Sequence, residues 1–298
     1  MEKTEDTQEK YSNISIGLVK RYFFETGREW AVDPLSFAHW LGSRKKDISS
    51  YTWRLYRASV RYFIEEHKPE YLGRVLDTLD KYSSIPAKTS ARKKKKFVSE
   101  DDWKKLLEHY SHSSSRALGL AVMIIQAGVW TGLRPNEWAQ SRLEENMLIV
   151  KNSKNSHGRS FGEYRHLDIS QLSEDQKELI ATLVGVAHDH SDKKEWLKTL
   201  DTCRQTLSFV TKKLGISGLT LYSARHQAAS NAREAGMSPE ELAAFMGHAS
   251  TKTAKDYYGK SGTGRKMHAN VSPDASDVQS VSQAIQDRVH NPIQQEIE

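Results

Sequence analysis

The chain has 298 residues, and its 44 Lys and Arg against 38 Asp and Glu give a formal net charge of +6. Mean hydropathy is −0.68, and no stretch approaches the ~20 consecutive apolar residues of a membrane span. The first ten residues are charged and lack an apolar core, which predicts no secretory leader. The single cysteine, Cys203, excludes an internal disulfide and fits a reducing compartment. A charge of +6 over this length permits a nucleic-acid partner without assigning one. Length predicts two domains at roughly 150 residues each.

The first region reads as helical. Asp33-Pro34-Leu35 opens a helix with Phe37, Trp40 and Leu41 on one side. From Ser49 to Glu66 the apolar residues Trp53, Tyr56, Val60, Phe63 and Ile64 form an amphipathic stripe. Arg54, Arg57 and Arg61 repeat beside it with no interleaved acid. They suit a phosphate-contacting ridge, and equally an ordinary solvated face. Ser83-Ser84-Ile85-Pro86 is a breaker cluster, followed by a run containing Lys88, Arg92 and Lys93, Lys94, Lys95 and Lys96. Residues 84–98 therefore read as a basic linker, either a solvated hinge or a strap over a phosphate backbone. It separates residues 1–83 from 99–262. Ser99, followed by Glu100, Asp101 and Asp102, marks the next helix start.

The second region is predicted helical from Trp103 to Trp130, ending at Gly132. Met147-Leu148-Ile149-Val150 is a short strand. Tyr164, His166 and Asp168 alternate against Arg165, Leu167 and Ile169, so a small β-hairpin with a long polar tip is expected. Ser173 to Tyr258 again reads as helix. The tail over 263–298 carries a weak apolar stripe, Val278, Val281, Ile285 and Val289. The fold class is mainly α with a small β-hairpin or sheet.

Four polar islands interrupt this pattern: Thr131-Gly132-Leu133-Arg134-Pro135-Asn136-Glu137; the hairpin with Lys151, Lys154 and Arg159; Leu221-Tyr222-Ser223-Ala224-Arg225-His226-Gln227; and Met246-Gly247-His248-Ala249-Ser250 followed by Thr253-Ala254-Lys255-Asp256-Tyr257-Tyr258-Gly259. Brought together, two arginines would fork onto the non-bridging oxygens of a phosphodiester and offset charge in a phosphoryl-transfer transition state. A hairpin lysine would protonate a leaving alkoxide. A tyrosine, with an ordinary pKa of about 10, would attack once activated by nearby cations or a base. No carboxylate cluster is needed, so the reading calls for no metal and no cofactor. Taken singly, each island also suits a structural role: an arginine in a turn, a Gly-His helix cap, half-buried adjacent tyrosines, a strand lysine in water.

The order of these islands resembles the tyrosine recombinase (phage integrase) family over roughly residues 97–260. The 23-residue interval from Arg225 to His248 is the family's usual one. The resemblance implies an N-terminal helical core-binding domain and a mostly helical catalytic domain that clamp duplex DNA. It implies strand cleavage through a 3′-phosphotyrosine, without metal or ATP, by a site-specific recombinase or integrase of a mobile element. Arg134 and Arg225 match the two arginines, Lys154 the hairpin lysine (Lys151 less well), and His248 the histidine. Tyr222 stands where the family most often has His. The nucleophile is Tyr258 by the local string T-A-x-x-x-Y-G, or Tyr257 by the commoner nine-residue interval. Lys93 to Lys96, Arg159 and the Arg54, Arg57, Arg61 ridge would hold DNA. The resemblance further implies self-assembly on DNA into a tetrameric synapse, a subunit contact through the tail helix, accessory DNA-bending proteins, no membrane partner, and a cytoplasmic, nucleoid-associated location. Two other readings stay open: a catalytically degenerate DNA-binding accessory factor, and a type IB-like topoisomerase.

Overall fold

A computed structural model describes residues 4–89, 95–153, 160–190, 192–251, 264–265 and 270–290. Lys93, Lys94, Lys154, Arg159, Tyr257 and Tyr258 lie outside the described residues. The chain divides into two compact units, Met1–Lys93 and Lys94–Glu298. No helix among the described residues is long and apolar enough to cross a membrane.

The first unit holds helices α1 (Glu5–Thr26), α2 (Pro34–Ser43), α3 (Ser50–His67) and α4 (Leu72–Asp80). Local signals set the starts of α2 and α3. Asp33 accepts from the Ser36 N–H at 3.0 Å, with Pro34 in the first turn, and Ser49 accepts from the Thr52 N–H at 3.1 Å. The expected α3 stripe faces inward: Trp53, Val60, Phe63 and Ile64 are buried and Tyr56 half-buried. Trp53, Val60 and Ile64 meet Leu18, Tyr22, Phe37, Leu41, Val75 and Leu79 in one core. Each such side chain contributes about 1.5–3 kcal/mol by leaving water. On the other face Arg54 and Arg61 are exposed, while Arg57 is ion-paired to Asp80 of α4.

The second unit is helical around one small sheet. Its helices are α5 (Glu100–Ser111), α6 (Arg116–Thr131), α7 (Glu174–His188), α8 (Lys193–Lys213), α9 (Ser223–Glu234), α10 (Pro239–Met246) and α11 (Ala275–His290). The single helix expected over 103–130 is two: the first ends at Ser111 with His112 as its cap, and Ser115 caps the second, accepting from the Leu118 N–H. The expected hairpin is the centre of a four-stranded antiparallel sheet in the order β1 (Ser141–Glu144), β2 (Met147–Lys151), β3 (Tyr164–Asp168), β4 (Ser272–Pro273). Leu148 and Val150 of β2 and Leu167 of β3 enter the same core as α6 to α9.

The expected linker over 84–98 ends sooner than its charge suggests. Lys95 to Val98 are held by the second unit. The Lys95 N–H donates to the Gly218 carbonyl at 2.8 Å, and the Ser223 hydroxyl donates to the Lys95 carbonyl at 2.7 Å. The Val98 N–H donates to Gln227 Oε1 at 3.1 Å, and the Val98 side chain is buried. The Lys95 ammonium pairs with Asp102, while Lys96 is exposed. At the other end α11 seats Val278, Val281 and Ile285 against Ala243 and Ala244 of α10. Three residues of the expected tail stripe thus pack within this chain. Asp277, 5% exposed, accepts from the His166 N–H at 2.5 Å and so continues the edge of β3 past β4.

Candidate active site

Two helix ends and one helix start build the site. α6 stops at Gly132, which takes a left-handed conformation at φ 66 and bonds back to Gly128. α10 opens with Ser238, Pro239 and a Ser238–Glu241 capping box, and closes on Gly247 at φ 64. There the Gly247 N–H donates to the Ala244 carbonyl at 2.9 Å and the His248 N–H to the Ala243 carbonyl at 2.8 Å. This paired cap turns the chain so that His248 points inward, 5% exposed. The Gly-His pair is therefore both a helix cap and a way to aim a side chain. α9 lies close on α6 because both present small residues: a Cβ on Gly128 would stand 3.0 Å from the Ala224 Cβ. That approach carries Arg225 beneath the α6 stop.

Arg225 is fully buried. Its Nη1 donates to the Gly132 carbonyl at 2.5 Å, its Nη2 donates to the Met246 carbonyl, and Nη2 stands 3.2 Å from His248 Nε2. A guanidinium nitrogen only donates, so Nε2 is the acceptor and Nδ1 carries the imidazole hydrogen. Burial first, then Arg225, Arg134 and Arg165, push the His248 pKa down to about 2, against a smaller opposing effect of Glu137. His248 is neutral at physiological pH. His226 is pushed down to about 4, by burial and by Lys96 and Arg225.

Arg134 follows the Gly132 turn and is 4% exposed. Trp196 of α8 braces that turn, donating to the Pro135 carbonyl at 3.0 Å. The Arg134 backbone N–H bonds Glu137 Oε2 at 2.8 Å and its Nη1 bonds Oε1 at 2.5 Å. Glu137 is the hub of the site. Arg165 Nη2 donates to it at 2.8 Å, Arg225 Nη1 stands 4.0 Å away, and Ser153 donates through its N–H and its hydroxyl. Burial alone would raise the Glu137 carboxyl. Arg165, Arg134 and Arg225 outweigh it and hold the group well below the usual carboxylate range.

Arg165 and Glu137 were not expected as members of the site. Both carried a signal. Glu137 closes the Thr131–Glu137 island, three residues after Arg134. Arg165 alternates with Leu167 and Ile169, the inward apolar set of β3. A charged residue on that face needs a buried partner. Besides Glu137, Arg165 bonds Asn152 Oδ1 at 2.6 Å at the end of β2.

Of the expected residues, Arg134, Arg225 and His248 converge here. Tyr222 is exposed at the start of α9, its ring 5.6 Å from that of His226. Lys151 leans over Tyr164 and pairs with Glu163 at 3.0 Å. The hairpin lysine expected to act, Lys154, and both candidate nucleophiles fall outside the described residues.

The fold thus gathers Arg134, Arg165, Arg225 and His248 around the Glu137 carboxylate in one buried cluster. The sequence of residues 96–263, more than half of the chain, matches the model of the Phage integrase family. The chain belongs to that family, the tyrosine recombinases. No curated protein matches its sequence. Among solved structures it is similar to the XerA recombinase at 17% identity, over 96% of this chain and 99% of that one, with a TM-score of 0.39. A lambda integrase(75-356) dimer bound to a COC' core site aligns at 14% identity over 82% and 94%, with a TM-score of 0.41. The Tn1549 transposon integrase in complex with transposon right end DNA aligns at 13% over 86% and 85%, with a TM-score of 0.46. Family membership rests on the family match.

Proposed function

We propose that this chain is a site-specific DNA recombinase or integrase, of a mobile element, that cuts and rejoins duplex DNA through a 3′-phosphotyrosine. The observation that carries the reading is the meeting of Arg134, Arg225 and His248 around one buried carboxylate. Three guanidiniums face a single negative charge, so the cluster keeps a surplus of two positive charges for a phosphate. Neutral His248 adds a hydrogen bond.

In the proposed reaction the tyrosine gives up its phenolic proton to water and its oxygen bonds to phosphorus. The bond from phosphorus to the 5′ oxygen breaks, and Lys154 gives that oxygen a proton. The same steps run backward with a partner strand's 5′ hydroxyl, so the bond energy is retained and the cycle calls for no ATP or metal. Arg134 and Arg225 stabilise the charge that builds on the non-bridging oxygens, and Tyr222 donates a hydrogen bond to one of them. Arg54, Arg61, Lys93, Lys94, Lys96 and Arg159 bind the flanking backbone. Exchange between two sites takes four subunits, assembled on the DNA.

Tyr257 and Tyr258 are adjacent in the sequence, and one phosphate takes one nucleophile; we assign Tyr258. The test is a nicked suicide substrate that traps the covalent adduct. Tyr258→Phe is expected to abolish the adduct and Tyr257→Phe to keep it. The reverse pattern moves the nucleophile to Tyr257. Adduct from both variants would overturn the tyrosine mechanism, and none from the unaltered protein would leave a DNA-binding accessory factor.

A further inference from the structure

Arg165 is a third arginine of the site, as fully enclosed as Arg225. It is 0% exposed, sits on the inward face of β3, and spends its two terminal nitrogens on Asn152 Oδ1 at 2.6 Å and Glu137 Oε2 at 2.8 Å. The turn before His248 closes over it: a Cβ on Gly247 would collide with Asn152 Oδ1 and crowd Arg165 Nη1. Burying an arginine this completely costs several kcal/mol, which close ion pairing and hydrogen bonds must offset. Packing alone would be served by an apolar residue, as at Leu167 two positions on.

What depends on it is the charge of Glu137. That carboxylate touches Arg134 directly and lies 4.0 Å from Arg225. Without Arg165 its full negative charge would fall on these two guanidiniums and cancel half of their charge. With Arg165 in place, Glu137 still orients Arg134 through two hydrogen bonds while a third arginine, itself ion-paired to Glu137 at 2.8 Å, balances it. We propose that Arg165 is a positioning residue for phosphoryl transfer, neutralising Glu137 from behind so that Arg134 and Arg225 present two uncancelled charges to the scissile phosphate. Asn152 holds Arg165 to this task from the opposite side. The inference rests on the proposed role of Arg134 and Arg225 as phosphate ligands.

The experiment compares two DNA substrates that differ at the scissile linkage, an ordinary phosphodiester and a methylphosphonate, which lacks one negative charge. A methylphosphonate needs less positive charge to react. Arg165→Met in the full chain is expected to slow phosphodiester cleavage about 100-fold, the scale of losing one preorganised charge interaction, and methylphosphonate cleavage less than about 10-fold. Arg165→Lys, which keeps the charge, is expected to restore the unaltered ratio. Equal slowing of both substrates by Arg165→Met, or no slowing, would overturn the proposal and leave Arg165 a packing residue. If Arg165→Met does not fold, Asn152→Asp decides. This near-isosteric change puts a competing carboxylate on Arg165 and should show the same selective loss, and equal slowing of both substrates again overturns the proposal. Arg134→Ala serves as the separate control. Failure of the methylphosphonate to recover any of its loss would sink the phosphate-ligand reading itself, whatever Arg165 does.

Discussion

Arg225 Nη2 and His248 Nε2, on residues 23 apart in the chain, stand 3.2 Å from each other inside the protein. Each restrains the other. The arginine can only donate, so the imidazole must accept, and an accepting nitrogen carries no proton. Protonating His248 would set two cations face to face in a buried site.

Acid should therefore unfold this protein through its histidines before its carboxylates. His248 is depressed to about 2 and His226 to about 4 from an ordinary 6.5. The unfolded chain takes up these protons first, so their stabilisation is complete above pH 6.5 and drains away as pH falls from there toward the folded values. For His248 the loss amounts to at most about 1.4 kcal/mol per pH unit. Glu137, held well below its ordinary 4.5, adds a further loss only below pH 4.5. Urea denaturation from pH 7 to pH 5 is the measurement. His248→Asn is expected to flatten the slope, and an unchanged slope would contradict a neutral buried imidazole.

Gly247 should be the least replaceable glycine of the site. Its φ of 64 suits glycine, and a Cβ there would strike Asn152 and Arg165. Gly247→Ala is expected to destabilise by more than about 2 kcal/mol, from left-handed strain together with overpacking. Gly185, inside α7 with open space around its Cβ position, is the comparison. Its change to Ala is expected to be neutral or stabilising by up to about 1 kcal/mol. Thermal melts of the two variants check this, and a melt of Gly247→Ala matching Gly185→Ala would contradict it.

The three arginines of α3 should not be equal toward DNA. Arg54 and Arg61 are exposed, whereas Asp80 holds Arg57. Changing Arg54 or Arg61 to Ala is expected to weaken binding on every sequence and lower the log–log salt slope by about 1 each. Arg57→Ala should change the slope less, because Asp80 already competes for its charge. Anisotropy titrations across a salt series read the three slopes, and a flat salt dependence of the unaltered protein would remove DNA-backbone contacts from the account altogether.

The sequence pattern carried the helices with caps and stripes. Ser49, Asp33 and Ser99 each cap as their surroundings predict, and the α3 stripe faces the core. It did not carry β1 or β4. The first is a short strand around a charged Arg142, and the second is two residues including Pro273, recognisable only once β3 offers an edge. The break between α5 and α6 hid inside a continuous helical reading because the loop at 112–115 is too short to disturb the periodicity. In the site, Arg134, Arg225 and His248 stood out as islands in an apolar background. Glu137 and Arg165 did not, because their meaning is pairwise: a buried acid and a buried base 28 residues apart have no local signature until a fold makes them neighbours. Lys95, within the basic run, differs from its expected surroundings for a related reason. Charge suggested solvent, whereas the Lys95 and Val98 backbone is bonded to α9 and the 215–219 loop.

Those backbone bonds fall on particular residues of α9. Ser223 grips the Lys95 carbonyl and Gln227 grips the Val98 N–H, two positions before and two after Arg225. The chain entering the second unit is thus fastened to α9 on either side of Arg225 in the sequence, so the bonds of Lys95 and Val98 fix the stretch of helix that carries this arginine.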